Sequence, residues 1–423
     1  MQLTSNPGSV RSRLGAAACA LLAAGIPAAA TPQAAQAEGA LKWQIDTASL
    51  VYGEKGGTKI VEPIFRVSRF FQNGQKLAAK LGFDTMSGAS ATGAMPSTRV
   101  QTYTTPSGNI ATTPIGKVPT RAFHDNRFSI NLDWEKPWGR LIKTSIGTHA
   151  SAETDYRSTG LSGVGSVELF NRRTTLSLGG GINRDQVDPV GGTPAGLSAS
   201  GREENGSHAK DVSDGMVGLG EVITRRWTMQ VNVSRSHENG YLTEPYKVVS
   251  VIDPESGEES HTLTEKRPTT RNRSSVLTGT VYHFDEDILY ASHRYYRDTW
   301  GVRSNTVDLR YRHELNDGRW VQPHFRYYRQ TQADFFTFGL RDDQRLPNYA
   351  SSDYRLGPLR SATAGLKVGF PVPSVPGEFT VRGEYIRQWG DGHPNSAIGA
   401  QRRLNLYPAM SISTLELGYS VGF

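Results

Sequence analysis

The chain has 423 residues, 37% hydrophobic and 9% aromatic, with 45 Gly, 22 Pro, one Cys and a formal net charge of +7. The apolar share is too small for a thick conventional core, yet 15 Phe, 7 Trp and 17 Tyr do not fit disorder. After residue 40 no apolar run approaches the roughly 20 residues of a membrane helix, which excludes a polytopic helical membrane protein, and the charge is too dispersed to mark a nucleic-acid binder.

Arg11 and Arg13 precede a run of mostly Ala and Leu over 14–30, and Ala35-Gln36-Ala37 places small residues where a signal peptidase reads them. Residues 1–37 therefore read as a secretory signal peptide cleaved before Glu38, and 38–423 as one domain. The alternative is an uncleaved anchor. Gly15, Gly25 and Pro27 inside the run and the small-residue site after it argue for cleavage. Cleavage removes Cys19, the only cysteine, so the mature chain is expected to carry no disulfide and no Cys metal site.

Period-two patterning then runs along the chain. Phe128, Ile130, Leu132 and Trp134 alternate with Ser129, Asn131, Asp133 and Glu135; Trp227, Met229, Val231 and Val233 alternate with Thr228, Gln230, Asn232 and Ser234. The last segment is the clearest, with Leu415, Leu417, Tyr419, Val421 and Phe423 on one face and polar or small residues on the other. Such segments predict sixteen strands at about 41–52, 60–72, 76–87, 126–135, 140–152, 160–170, 173–185, 212–224, 227–238, 272–284, 287–298, 303–315, 319–332, 359–370, 378–389 and 411–423. Gaps after even-numbered strands are short, such as Asn73-Gly74-Gln75 and Arg225-Arg226, the longest being the Pro-rich 371–377. All the long gaps, 88–125, 186–211, 239–271, 333–358 and 390–410, follow odd-numbered strands. Short turns at one end and long loops at the other predict an all-β transmembrane antiparallel barrel with periplasmic turns and extracellular loops, in the cell outer membrane. A soluble sandwich would have no reason to sort its loops so. Trp134, Trp138, Trp227, Tyr282, Trp320, Tyr385 and Trp389 are expected in the interfacial girdles. The expected partners are membrane lipid and the barrel-insertion machinery, which would read the strand ending in Phe423.

Several motifs occur together: Asp84-Thr85-Met86-Ser87-Gly88-Ala89-Ser90, Glu153-Thr154-Asp155-Tyr156-Arg157-Ser158, Phe170-Asn171-Arg172-Arg173-Thr174-Thr175-Leu176, Tyr246-Lys247-Val248-Val249-Ser250-Val251, Arg294-Tyr295-Tyr296-Arg297-Asp298-Thr299-Trp300-Gly301, Arg326-Tyr327-Tyr328-Arg329-Gln330 and Asp353-Tyr354-Arg355-Leu356. In order and spacing, from about residue 40 to the C-terminus, the chain resembles a family of Gram-negative outer-membrane proteins of unknown function, domain of unknown function three-five-seven-zero. Ala91 departs from the pattern, which has Pro after Ser-Gly-Ala-Ser. The resemblance implies an outer-membrane barrel and no particular substrate.

By this topology Asp84, Glu153, Asp155, Arg294, Asp298, Arg326 and Tyr328 lie toward the extracellular strand ends, and with Arg310, Arg312, Arg382 and Glu384 they give the lumen a ladder of charge. Arginines over a constriction could bind a carboxylate- or phosphate-bearing solute. Alternatively, opposite charges on adjacent strands simply pair. Asp298, Asp334 and Asp353 are the acids a divalent cation could use, although solvated loop acids are the plainer reading; no metal or cofactor is assigned, and no Cys-x-x-Cys-His haem site exists. A rim-sited hydrolase would draw on His149, Glu153 and Asp155, read as sharing a strand face, but neither Gly-x-Ser-x-Gly nor His-Glu-x-x-His is present. The chain is therefore expected to be a porin-like channel for a small polar or anionic solute rather than an enzyme. The alternative is a non-conducting scaffold for a redox or surface protein partner.

Overall fold

The computed structural model describes residues 42–104, 110–199, 203–204 and 206–423; the expected signal peptide and its cleavage site lie outside them. The sixteen strands of the barrel are β1 (Trp43–Glu54), β2 (Lys59–Phe70), β3 (Lys76–Ala91), β4 (Thr120–Trp138), β5 (Ile142–Ala152), β6 (Tyr156–Leu169), β7 (Thr174–Val187), β8 (His208–Thr224), β9 (Trp227–Gly240), β10 (Thr270–His283), β11 (Ile288–Asp298), β12 (Arg303–Glu314), β13 (Trp320–Gln330), β14 (Arg360–Val372), β15 (Val375–Trp389) and β16 (Met410–Gly422). Each pairs antiparallel with its sequence neighbour, and β1 closes the barrel on β16 from Gln44↔Gly422 to Glu54↔Ile412. Closure leaves no edge, so every strand meets its backbone hydrogen-bonding needs inside the protein, which a bilayer requires.

The alternation sorts as a barrel demands. Val51, Phe65, Phe128, Leu132, Leu178, Val217, Val233, Phe325, Leu366, Tyr385 and Leu417 are exposed on the outer face, where lipid takes the place of a core. A closed barrel with this apolar exterior is an outer-membrane protein. Trp134 and Trp138 stand outward as girdle residues, and outward Trp227 faces Tyr282 across β9 and β10. Trp320 does not: it is 5% exposed, points into the lumen, and donates from Nε1 to Glu378 at 2.9 Å. It fails as a girdle residue because its register partner Gly369 leaves its ring room on the inner face.

The turns at the end carrying both barrel termini are short. The Pro-rich turn is tighter than its composition suggests, because β14 and β15 close around Pro373-Ser374, with Ser374 at φ 68°. At the other end several strands run past their apolar stretches. β4 begins at Thr120 and pairs there with Ala91, so Ala91 ends a strand instead of opening the loop. Above the lipid an outward residue need not be apolar, so the alternation fades before the strand does.

The long loops form a packed layer over this end. Val248–Ile252 and Glu259–Thr264 form a hairpin that Leu340–Arg341 joins in parallel. Met95, Ile252, Ala397, Leu404 and Leu406 share one buried cluster; Trp300, Val302, Ala333, Phe336 and Leu356 share another. Segment 92–119 leaves the barrel between β3 and β4, and 241–269 leaves it between β9 and β10, six strands away. With about 4.8 Å between strands and a tilt near 40°, a sixteen-stranded barrel is about 30 Å wide. Yet Met95 N donates to Ser250 Oγ at 2.8 Å, and Ala400 N donates to Ser256 O at 2.8 Å. Loops from well-separated parts of the rim therefore meet across the mouth. Beneath them the inward residues Tyr52, Ile60, Met86, Ile386 and Ile412 form a third apolar cluster.

Candidate functional site: the charged lumen and its loop layer

Strands β10 to β16 place the expected ladder on one wall, and most of it pairs. Asp308 Oδ2 lies 3.0 Å from His324 Nε2, and His324 Nδ1 lies 2.9 Å from Glu384 Oε1. Arg310 and Arg326 approach the same Asp308 at 3.2 and 3.6 Å. His324 on β13 reaches Glu384 on β15 across β14 because Gly365 stands between them; a Cβ there would come 2.7 Å from Glu384 Cγ. Arg382 pairs with Glu416 at 3.5 Å, and Arg312 pairs with Glu314 at 2.5 Å while lying 4.2 Å over the Trp320 ring. Pairing across strands thus accounts for Arg326, Arg382 and Glu384, and pairing along β12 for Arg310 and Arg312.

Arg294 is different. No carboxylate lies within ion-pairing reach of it among the described residues; its guanidinium sits 5.7 Å from the Tyr296 ring, in the electrostatic field of Tyr328. Its register partners Leu277 and Thr306 bring no charge. Four residues toward the rim, Asp298 is fully committed: it accepts from Arg271 Nε at 2.9 Å, Tyr296 Oη at 2.7 Å, and the backbone N–H groups of Trp300 and Val302 at 3.0 Å. Asp298 holds the turn over 299–302 and has no capacity left for a solute.

Tyr328 ties the wall to the loop layer. Its hydroxyl donates to Gln330 Oε1 at 2.5 Å, and Gln330 Nε2 donates to the carbonyls of Arg355 and Gly357 at 2.8 and 2.7 Å. The layer is locked by buried charge, with Asp353 accepting from Arg267 at 2.8 Å and from Arg355 Nε at 2.7 Å. Burial opposes ionisation of Asp353, but Arg355, Lys247 and Arg267 outweigh it and hold the carboxyl far below its ordinary range. Burial pushes neighbouring Glu265 up, against Arg267, and lowers the Lys247 ammonium. Lys247 also donates to the Ala91 carbonyl at the end of β3. Asp334 packs on the same 299–302 turn, its backbone N–H donating to Trp300 O at 2.8 Å, but among the described residues Asp298, Asp334 and Asp353 do not bring their carboxylates together as a cation site.

Across the barrel, Asp84 and Arg127 form a buried ion pair between β3 and β4. Glu153 and Asp155 do not continue the face of His149, because β5 ends at Ala152 and both occupy the following turn. His149 instead approaches Ser158 at 3.4 Å, and Ser158 donates to Asp185 at 2.7 Å, so no His–carboxylate pair forms with Glu153 or Asp155. The turn meets the end of β4 instead: ligand-type oxygens of Asp125, Glu153 and Asp155 lie within 4.8 Å of one another. Burial pushes the Glu153 carboxyl up to about 8, with Asp125 and Asp155 adding to the rise and Arg127 opposing it. Tyr246, from the segment after β9, donates to Asp155 at 2.6 Å, with Arg121 4.6 Å over its ring. Sequence reasoning missed Asp125, His324 and Tyr246; the inward parity of Asp125 and His324 was the available signal, whereas Tyr246 lies in a loop without period.

Several solved structures are similar across most of the chain. They include the outer membrane protein opdK from Pseudomonas aeruginosa (8% identity, 90% of this chain and 98% of that one, TM-score 0.39). A FadL homologue from the same organism matches at 14% identity over 90% and 89%, TM-score 0.39. The toluene transporter TodX of P. putida matches at 9% identity over 90% and 89%, TM-score 0.37. No curated protein matches the chain. The profile of the family described as "Protein of unknown function (DUF3570)" matches residues 11–421. The order of motifs, the sixteen-stranded closed barrel and this match over nearly the whole length agree, and the chain belongs to that family of outer-membrane barrels.

Proposed function

We propose that this barrel is an outer-membrane channel for a small anionic solute, opened by movement of its loop layer. The supporting observation is Arg294, a lumen-facing guanidinium with no carboxylate partner among the described residues, on a wall where neighbouring charges pair. Such a group offers planar, two-pronged hydrogen bonding to a carboxylate or phosphate. Tyr296 and Tyr328 beside it add aromatic surface. The facing wall on β5 to β8 is built from small inward residues, including Gly147, Ser162, Gly179, Gly181 and Gly218, which leave width for a solute. A second reading, a non-conducting scaffold for a protein partner, is favoured by the loops that meet across the mouth.

Planar-bilayer recording tests the proposal. The wild-type barrel should conduct in bursts with anion preference, and Arg294→Ala should lower the anion-to-cation permeability ratio several-fold while Arg382→Ala, whose partner is Glu416, shifts it less. A folded barrel that stays silent even after limited cleavage of its loops would support the scaffold reading and end the channel reading.

A further inference from the structure

The outer face of β11 to β15 carries a second set of arginines, which the channel does not use. Arg297, Arg303, Arg329, Arg360 and Arg387 occupy five adjacent strands at the extracellular rim, all exposed. Among the described residues none has an ion-pair partner, and the outward positions of these five strands hold no Asp or Glu. Arg297 stands directly opposite Arg303, and Arg329 directly opposite Arg360. Like charges at facing positions destabilise a sheet, so two such pairs side by side call for a shared counter-charge.

Their height indicates which one. Two residues below them, about 6.6 Å toward the membrane, the outward positions are Tyr295, Asn305, Tyr327, Ala362 and Tyr385. Below those come His293, Val307, Phe325, Ala364 and Gly383, and below these the wholly apolar row Ala291, Leu309, Pro323, Leu366 and Val381. Aromatic rings mark the membrane interface, so the arginines sit one step above it, at headgroup level. The opposite side is mixed, with Arg184 4.0 Å from Asp211.

We propose that this arc binds the phosphate groups of an anionic outer-leaflet lipid, a phosphorylated glycolipid of the lipid A type. The guanidinium fork matches phosphate oxygens bidentately, acyl chains would lie on the apolar band beneath, and one phosphate between facing arginines would neutralise both.

The test is native mass spectrometry of the full barrel in neutral detergent, titrated with diphosphorylated lipid A, phosphatidylcholine or inorganic pyrophosphate. Wild type should retain lipid A and no phosphatidylcholine. Arg329→Gln/Arg360→Gln should weaken retention at least about tenfold, the scale of losing one to two charge-assisted contacts, whereas Arg157→Gln/Arg184→Gln on the other arc should retain lipid A as wild type does. In lipid-free detergent the Arg329/Arg360 double variant should keep or raise the temperature of its heat-induced mobility shift, since a like-charge pair is gone; a merely structural role would lower it. Should that variant fail to fold, Arg329→Lys/Arg360→Lys keeps the charge without the fork and should retain lipid A less well than wild type. Undiminished retention in whichever of these variants folds, equal loss in the opposite-arc control, or displacement of lipid A by equimolar pyrophosphate would overturn the proposal.

Discussion

Glu153 shows how much one carboxyl's surroundings matter. Its folded pKa is raised from an ordinary 4.5 to about 8, by burial first and by Asp125 and Asp155 next. A carboxyl with a raised folded pKa binds its proton more tightly in the folded state, so its contribution to stability is full below about 4.5 and is lost as pH rises through about 8. Ionisation adds a negative charge beside Asp155, the acceptor for Tyr246. Proteolysis of the segment 241–269 should therefore accelerate between about pH 5 and about pH 8, and Glu153→Gln should flatten that profile. An unchanged profile in the variant would assign the sensitivity to another group. The sequence placed Glu153 and Asp155 near the extracellular end. It did not reveal that Asp125 joins them, because that contact depends on where β5 stops and on the long upward run of β4. Asp298 was legible as a lumen acid, but its engagement by the turn it organises was not.

At the scale of elements, the strands were readable because lipid imposes apolarity on every second outward residue, a constraint that survives in Leu415, Leu417 and Tyr419 without any knowledge of neighbours. The loop layer was not readable, since its order rests on contacts between segments far apart in the chain, such as Met95 with Ser250 and Arg267 with Asp353. Asp353 is the keystone of that layer, 3% exposed and shared by Arg267 and Arg355. Removing one partner of a buried ion pair leaves the rest uncompensated, at a cost of about 3–5 kcal/mol. Asp353→Asn should therefore loosen the layer and leave the barrel standing. The expected signs are rapid protease nicking within 331–359, an unchanged heat-dependent mobility shift of the barrel, and a higher open probability in bilayers. Nicking as slow as in wild type would show that the apolar clusters alone hold the layer.

For the whole molecule, these parts divide along the barrel axis and around its circumference. The loop layer covers the outer mouth, Arg294 sits on a charged wall below it, and the opposite wall carries glycine and serine on its inner face. Width and charge should then be separable. Gly181 faces the lumen on β7 between Ser162 and Asp214, where an added Cβ would meet nothing closer than Leu161 O at 3.4 Å. In an Asp353→Asn background, where the layer is loosened, Gly181→Phe should reduce single-channel conductance and leave the anion preference in place. Arg294→Ala in the same background should lower the preference and leave conductance close to its starting value. The two effects should add when combined, because the residues stand on well-separated strands and share no partner. If Gly181→Phe instead shifts selectivity as strongly as Arg294→Ala, the solute path hugs the glycine wall, and the charged wall is a structural filling of the barrel.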